Sequence, residues 1–107
     1  MLKKEIKRII KKTLLKYGYK PEIIYLFGSR VKGTATEDSD YDILVVLSEK
    51  IGIKEKRKLA VKLYLELHKK FKYRSFDVIV KAKNEFEGEK TIVNTVSNEA
   101  FKDGLIL

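Results

Sequence analysis

"DSDYDILVVL", residues 38–47, sets three aspartates at every second position against a run of five apolar residues. An EF-hand calcium loop is the first reading to test. Asp38, Asp40 and Asp42 would fill its positions one, three and five, and Glu49 falls at position twelve. The sixth position requires a glycine for the sharp turn, and here it is Ile43. The branched residues that follow suit a strand, not a cation-binding loop. The stretch therefore reads as a loop entering a buried strand over 40–47. Because residues i and i+2 of a strand share a face, Asp40 and Asp42 project together from its start.

Working outward, Leu2, Ile6, Ile9, Ile10, Leu14 and Tyr17 recur at helical spacing and predict a helix over 2–17, stopped by Gly18. Pro21 precedes "IIYLF" (23–27), a short β-rich run. "GSRVKGTATEDS" (28–39) is rich in turn residues, with room for a helical turn after Ser29. A long helix is expected over 54–72, with Ala60, Leu63, Tyr64, Leu67 and Phe71 inward. "SFDVIV" (75–80) is the next strand, and residues 89–102 form a last helix ended by Gly104 before "LIL". This order predicts one α/β (α+β) domain over 1–107, a small mixed sheet backed by helices on one side.

The composition is globular, 44% hydrophobic and 36% charged, and no apolar run approaches the roughly 20 residues that span a bilayer. The absence of cysteine excludes disulfides, zinc–thiolate sites and cysteine nucleophiles. With no signal-peptide pattern at the start, a cytoplasmic location is the expectation. The net charge of +9 is concentrated in residues 1–20 and 50–74. These lysines and arginines sit at helical spacing without interleaved aromatics, so they read as solvated helix faces, and direct nucleic-acid binding is not expected. Twenty lysines and no glutamine resemble hyperthermophile composition.

The chemistry gathers around the aspartates. If the strands at 40–47 and 75–80 are neighbours, Asp77 joins Asp40 and Asp42. Three carboxylates in one place repel unless cations neutralise them. Two divalent ions roughly 3.5–4 Å apart would do so and would clamp the oxygens of a phosphoryl or nucleotidyl transfer. Magnesium suits such ligands. "LFGSR" supplies the other half of a phosphate site: Gly28 lets backbone come close, and Ser29 offers a hydroxyl and an N–H. Arg30 and Lys32 add positive charge, and Gly33 permits a second tight turn.

Together, "GSRVKGTATEDSDYDILV" and the aspartate of "SFDVIV" resemble the signature of the DNA polymerase beta-like nucleotidyltransferases, in particular the minimal nucleotidyltransferases that accompany HEPN-domain partners in prokaryotes. The resemblance is close over residues 23–47, and Asp77 supplies its third element. It implies that Gly28 and Ser29 bind phosphate, that Asp40 and Asp42 bridge two magnesium ions, and that Asp77 completes the catalytic metal site. Lys32 departs from the arginine of many members and would contact phosphate as a point charge. The resemblance further implies ATP as donor and, as partner, a HEPN-type ribonuclease toxin whose tyrosine receives AMP. An antitoxin that neutralises by binding alone and a small-molecule nucleotidyltransferase are the alternatives. Retention of the three aspartates and Ser29 favours catalysis, and the lack of room for an acceptor-binding domain disfavours a small acceptor.

Overall fold

The computed structural model describes residues 2–107. Its elements in chain order are α1 (Leu2–Lys16), β1 (Pro21–Phe27), α2 (Ser29–Lys32), β2 (Tyr41–Leu47), α3 (Ile53–Lys70), β3 (Phe76–Ala82), α4 (Lys83–Glu89), α5 (Val96–Asp103) and β4 (Leu105–Ile106). The four strands form one sheet in the order β3-β2-β1-β4. β2 pairs antiparallel with β1 and parallel with β3, and β4 pairs antiparallel with β1. The mixed sheet is thus as the sequence predicts.

The helices, however, cover both faces of it and not one. Ile43, Val45 and Leu47 of β2 pack with Ile6, Ile10 and Leu14 of α1 and Leu59, Leu63 and Leu67 of α3. Leu44 and Val46 face the other way, into a second cluster with Tyr25, Phe27, Phe86 and Ala100, which brings α4 and α5 onto that side. The unbroken run Ile43–Leu47 carries the reason. A strand with water on one face would alternate, whereas all five of these residues are fully buried.

Two boundaries also differ from the expectation. The helix expected over 89–102 begins only at Val96, as α5, and it is preceded by a helix the sequence did not predict, α4 over Lys83–Glu89. Asn94 adopts φ 72° between them, and the Thr95 hydroxyl oxygen accepts from the Asn98 N–H at 3.0 Å, capping a fresh N-terminus at α5. The start of α4 is fixed by Glu85, which accepts from the Ala82 N–H at 3.0 Å and from Lys56 Nζ at 2.7 Å. In α3 the buried stripe is Leu59, Leu63 and Leu67, while Tyr64 is 38% exposed and stacks on His68. Among the described residues no helix is long and apolar enough to cross a membrane.

Candidate active site

The site forms where β1 ends and where β2 and β3 begin. Phe27, the last residue of β1, is the register partner of Asp42, and Asp42 is in turn the partner of Asp77 on β3. In-register residues of neighbouring strands project to the same side, at a strand spacing of about 4.8 Å, so the two carboxylates stand side by side. Asp40 lies just before β2, two residues from Asp42, and is exposed. Asp77 is exposed as well, and Asp42 is partly buried.

This arrangement is visible in the charge state of Asp42. Burial pushes its carboxyl above the usual carboxylate range, and the negative charges of Asp77, Asp40 and Glu99 push it the same way. Among the described residues no three acidic or histidine side chains are drawn together closely enough to hold an ion as they stand. The donor set consists of hard carboxylate oxygens, the chemistry that magnesium selects. An Asp42 carboxyl destabilised in its charged form by its neighbours is also what a cation would correct.

Gly28 is required here twice over. Its backbone, at φ 76° and ψ −154°, occupies a region essentially reserved for glycine. An added Cβ would also collide with Asp42 Oδ2 and lie 3.1 Å from its Cγ. The chain then makes one helical turn, α2, in which Val31 and Lys32 N–H groups donate to the Gly28 carbonyl at 3.1 Å. Gly33, at φ 79°, closes the turn by donating its N–H to the Ser29 carbonyl. Ser29 thereby sits directly beyond the Gly28–Asp42 contact.

Lys32 and Arg30 part company. Lys32 Nζ lies 3.9 Å from Glu99 of α5, whose charge acts on Asp42, so Lys32 belongs to the carboxylate neighbourhood. Glu99 escaped the sequence reading, and the residues alone held no signal for it, because its place depends on α5 starting afresh at Val96 and packing against β1 and β2. Arg30 goes to the other side of β2. Its guanidinium carbon sits 4.3 Å from the centroid of the Tyr41 ring, and Tyr41 is buried in the α1/α3 cluster and stacks on Phe76. Arg30 Nη2 donates to the Ser39 carbonyl at 2.8 Å and, more weakly, to the Glu37 carbonyl at 3.4 Å, while Arg74 donates to the Tyr41 hydroxyl at 3.1 Å. Arg30 is therefore not brought to the carboxylates. It braces the loop that delivers Asp40.

That bracing yields an expected result. Arg30→Ala should cost about 1–2 kcal/mol of stability, from one well-aligned carbonyl bond and one cation–π contact. It should also speed backbone hydrogen exchange over residues 36–40. A variant with unchanged melting temperature and unchanged exchange in that loop would show that the strut bears no weight.

The model of the family described as polymerase beta, nucleotidyltransferase, matches residues 4–99. The chain belongs to this nucleotidyltransferase family. A relative from Methanocaldococcus jannaschii, provisionally named a protein adenylyltransferase, is 49% identical over 47 residues, which cover 42% of this chain and 47% of that protein. This match spans about half the length of that curated relative. Solved structures agree in fold. A toxin–antitoxin crystal structure with AMP-PNP superposes at a TM-score of 0.61 with 24% identity, covering 94% of this chain and 70% of that one. A mutant of the MntA-HpeT toxin–antitoxin complex gives 0.59 at 25% identity with the same coverage. A further nucleotidyltransferase crystal structure gives 0.52 at 27% identity, covering 97% and 95%.

Proposed function

We propose that this chain transfers AMP from ATP to a hydroxyl on a partner protein, and that it serves as an adenylylating antitoxin toward a HEPN-type ribonuclease. The observation that carries the reading is the Asp42–Asp77 register pair set against the Gly28–Ser29 turn. A carboxylate pair and a glycine-lined phosphate turn in one place have little purpose apart from a nucleotide and its metal. The adenylyltransferase name of the archaeal relative and the AMP-PNP of the structural neighbour support the adenine donor and the protein acceptor.

In this reading Asp40, Asp42 and Asp77 hold magnesium, in the two-ion arrangement expected from the family resemblance. Bound magnesium would neutralise the triphosphate and polarise it for displacement. Gly28 lets the turn close directly onto the Asp42 carboxylate, Ser29 donates to the phosphates, and Lys32 adds positive charge once released from Glu99. The acceptor oxygen forms a bond to the α-phosphorus while the α–β bridging P–O bond breaks. Pyrophosphate leaves toward the Ser29 side. The acceptor's proton passes to Asp77, which is exposed and nearest the open side of the sheet. Positioning and charge neutralisation supply most of the acceleration.

Intact-mass spectrometry of a HEPN-type partner after incubation with this chain, ATP and magnesium tests the proposal. The expected result is one or more AMP additions on a tyrosine, with loss of RNA cleavage. An unmodified partner that nevertheless loses activity in the complex would replace the proposal with inhibition by binding alone. An unmodified and fully active partner would leave a small-molecule acceptor.

A further inference from the structure

Among the described residues β3 has a neighbour on one side only, so alternate backbone N–H and C=O groups along its outer side point away from the sheet. Such edges are commonly shielded by proline, a bulge or free charges. Phe76–Ala82 contains no proline, and its register with β2 runs without a break. Its one lysine, Lys81, is tied to Glu89 at 3.3 Å, so the charge that remains on the strand is the exposed Asp77 at its start.

A groove of about 250 Å³ is lined by Val78, Ile79, Val80 and Lys81, and by Ile53 and Ala60 of α3 among its other walls. Consecutive residues of a strand alternate between its two faces. Four in a row can line one groove only if that groove follows the edge of the strand. Its apolar wall includes Ile53, which is 62% exposed.

We infer that this edge receives the acceptor: an extended segment of the partner polypeptide adds to β3 as a fifth strand and presents its hydroxyl beside Asp77. The inference rests on the transfer reading proposed above and specifies how the acceptor is held. The order across the sheet supports it. Gly28–Ser29 follows β1, Asp42 starts β2 and Asp77 starts β3, with solvent beyond. An oxygen attacking opposite to phosphates held at Ser29 has to come from the β3 side. A strand laid along Val78–Lys81 passes Asp77 at the next residue. The groove's chemistry also selects a peptide over a nucleic acid. It offers a main-chain ladder and branched apolar side chains, which is how added strands are recognised. Of its three cations, Lys56 is tied to Glu85 at 2.7 Å and Lys81 to Glu89, which leaves Arg57 as the one lining cation outside an ion pair among the described residues, too little charge for a polyanion.

The test selects binders, without any transfer step, from a displayed library of short peptides with a central tyrosine. Hydrogen exchange is then measured on the complex of the full chain with a selected peptide. The expected result is peptides with alternating apolar residues beside the tyrosine and slowed exchange at residues 78–81. Ile53→Asp, at an exposed first helical position that tolerates an acid, should weaken that binding by about tenfold, as befits losing one apolar contact. ATP affinity should stay unchanged. Failure to select binders, protection elsewhere, or full affinity in Ile53→Asp would overturn the inference. Protection of 78–81 that grows with protein concentration in the absence of peptide would also overturn it, by assigning the edge to a second copy of this chain. Because no transfer is measured, failure of the transfer reading would show separately, as bound peptides that never gain AMP.

Discussion

Asp42→Asn should abolish nucleotidyl transfer and, in the same sample without metal, raise the melting temperature. Both effects come from one feature: a carboxyl partly buried beside three others. Its folded pKa is raised, first by burial and then by Asp77, Asp40 and Glu99. A raised carboxyl favours folding only while protonated. That contribution is complete below the unfolded value of about 3.9 and is lost as pH rises through the folded value. At neutral pH the charged form therefore opposes folding, and asparagine removes the opposition. The gain in melting temperature should be present at pH 7 and disappear below about pH 4. Transfer should fall by about a thousandfold or more, since several kcal/mol of charge stabilisation depend on the ligand. Near-normal transfer in magnesium would remove Asp42 from the metal site. An unchanged melting temperature at pH 7 would show that its repulsion is relieved elsewhere.

Gly28→Ala should be nearly as damaging, by a different route. The alanine must leave φ 76°, ψ −154° or suffer a strain of about 1–3 kcal/mol, and its Cβ meets the Asp42 carboxylate. Asp42 then turns away from the place where Asp77 and the Ser29 turn meet. ATP affinity in magnesium should drop at least about tenfold by calorimetry, for a loss of roughly 1.4 kcal/mol or more. Thermal melting should show the accompanying destabilisation. Wild-type affinity in this variant would dissociate the turn from nucleotide binding.

The central strand was legible because it leaves no choice: five apolar residues in a row, entered by Asp-x-Asp and preceded at a distance by Gly-Ser, fit one local arrangement. Asp77 followed from the apolar residues around it once two strands were set side by side. What escaped the sequence was whatever depends on a second layer. That α4 forms at all, that α5 starts only at Val96, and that both lie on the opposite face from α1 and α3, turns on the Glu85 contact at Ala82, a cap at Thr95 and packing across the sheet. Arg30 reads as a phosphate ligand by its place in the loop. Only the position of the Tyr41 ring, set by core packing, shows that its guanidinium points the other way.

The parallel pairing of β2 with β3 has a consequence in time. Gly28, Asp42 and Asp77 stand far apart along the chain, and the last meets the others only after α3 has crossed over and β3 has zipped onto β2. Contacts of such long sequence separation are slow to form, because the intervening loop must close before any of its pairings repay the entropy. During synthesis, a chain that has emerged only through β2 holds Asp40, Asp42 and the glycine turn but has neither Asp77 nor the edge of β3. The protein is thus born without a site, and it acquires one as a whole when the third strand arrives.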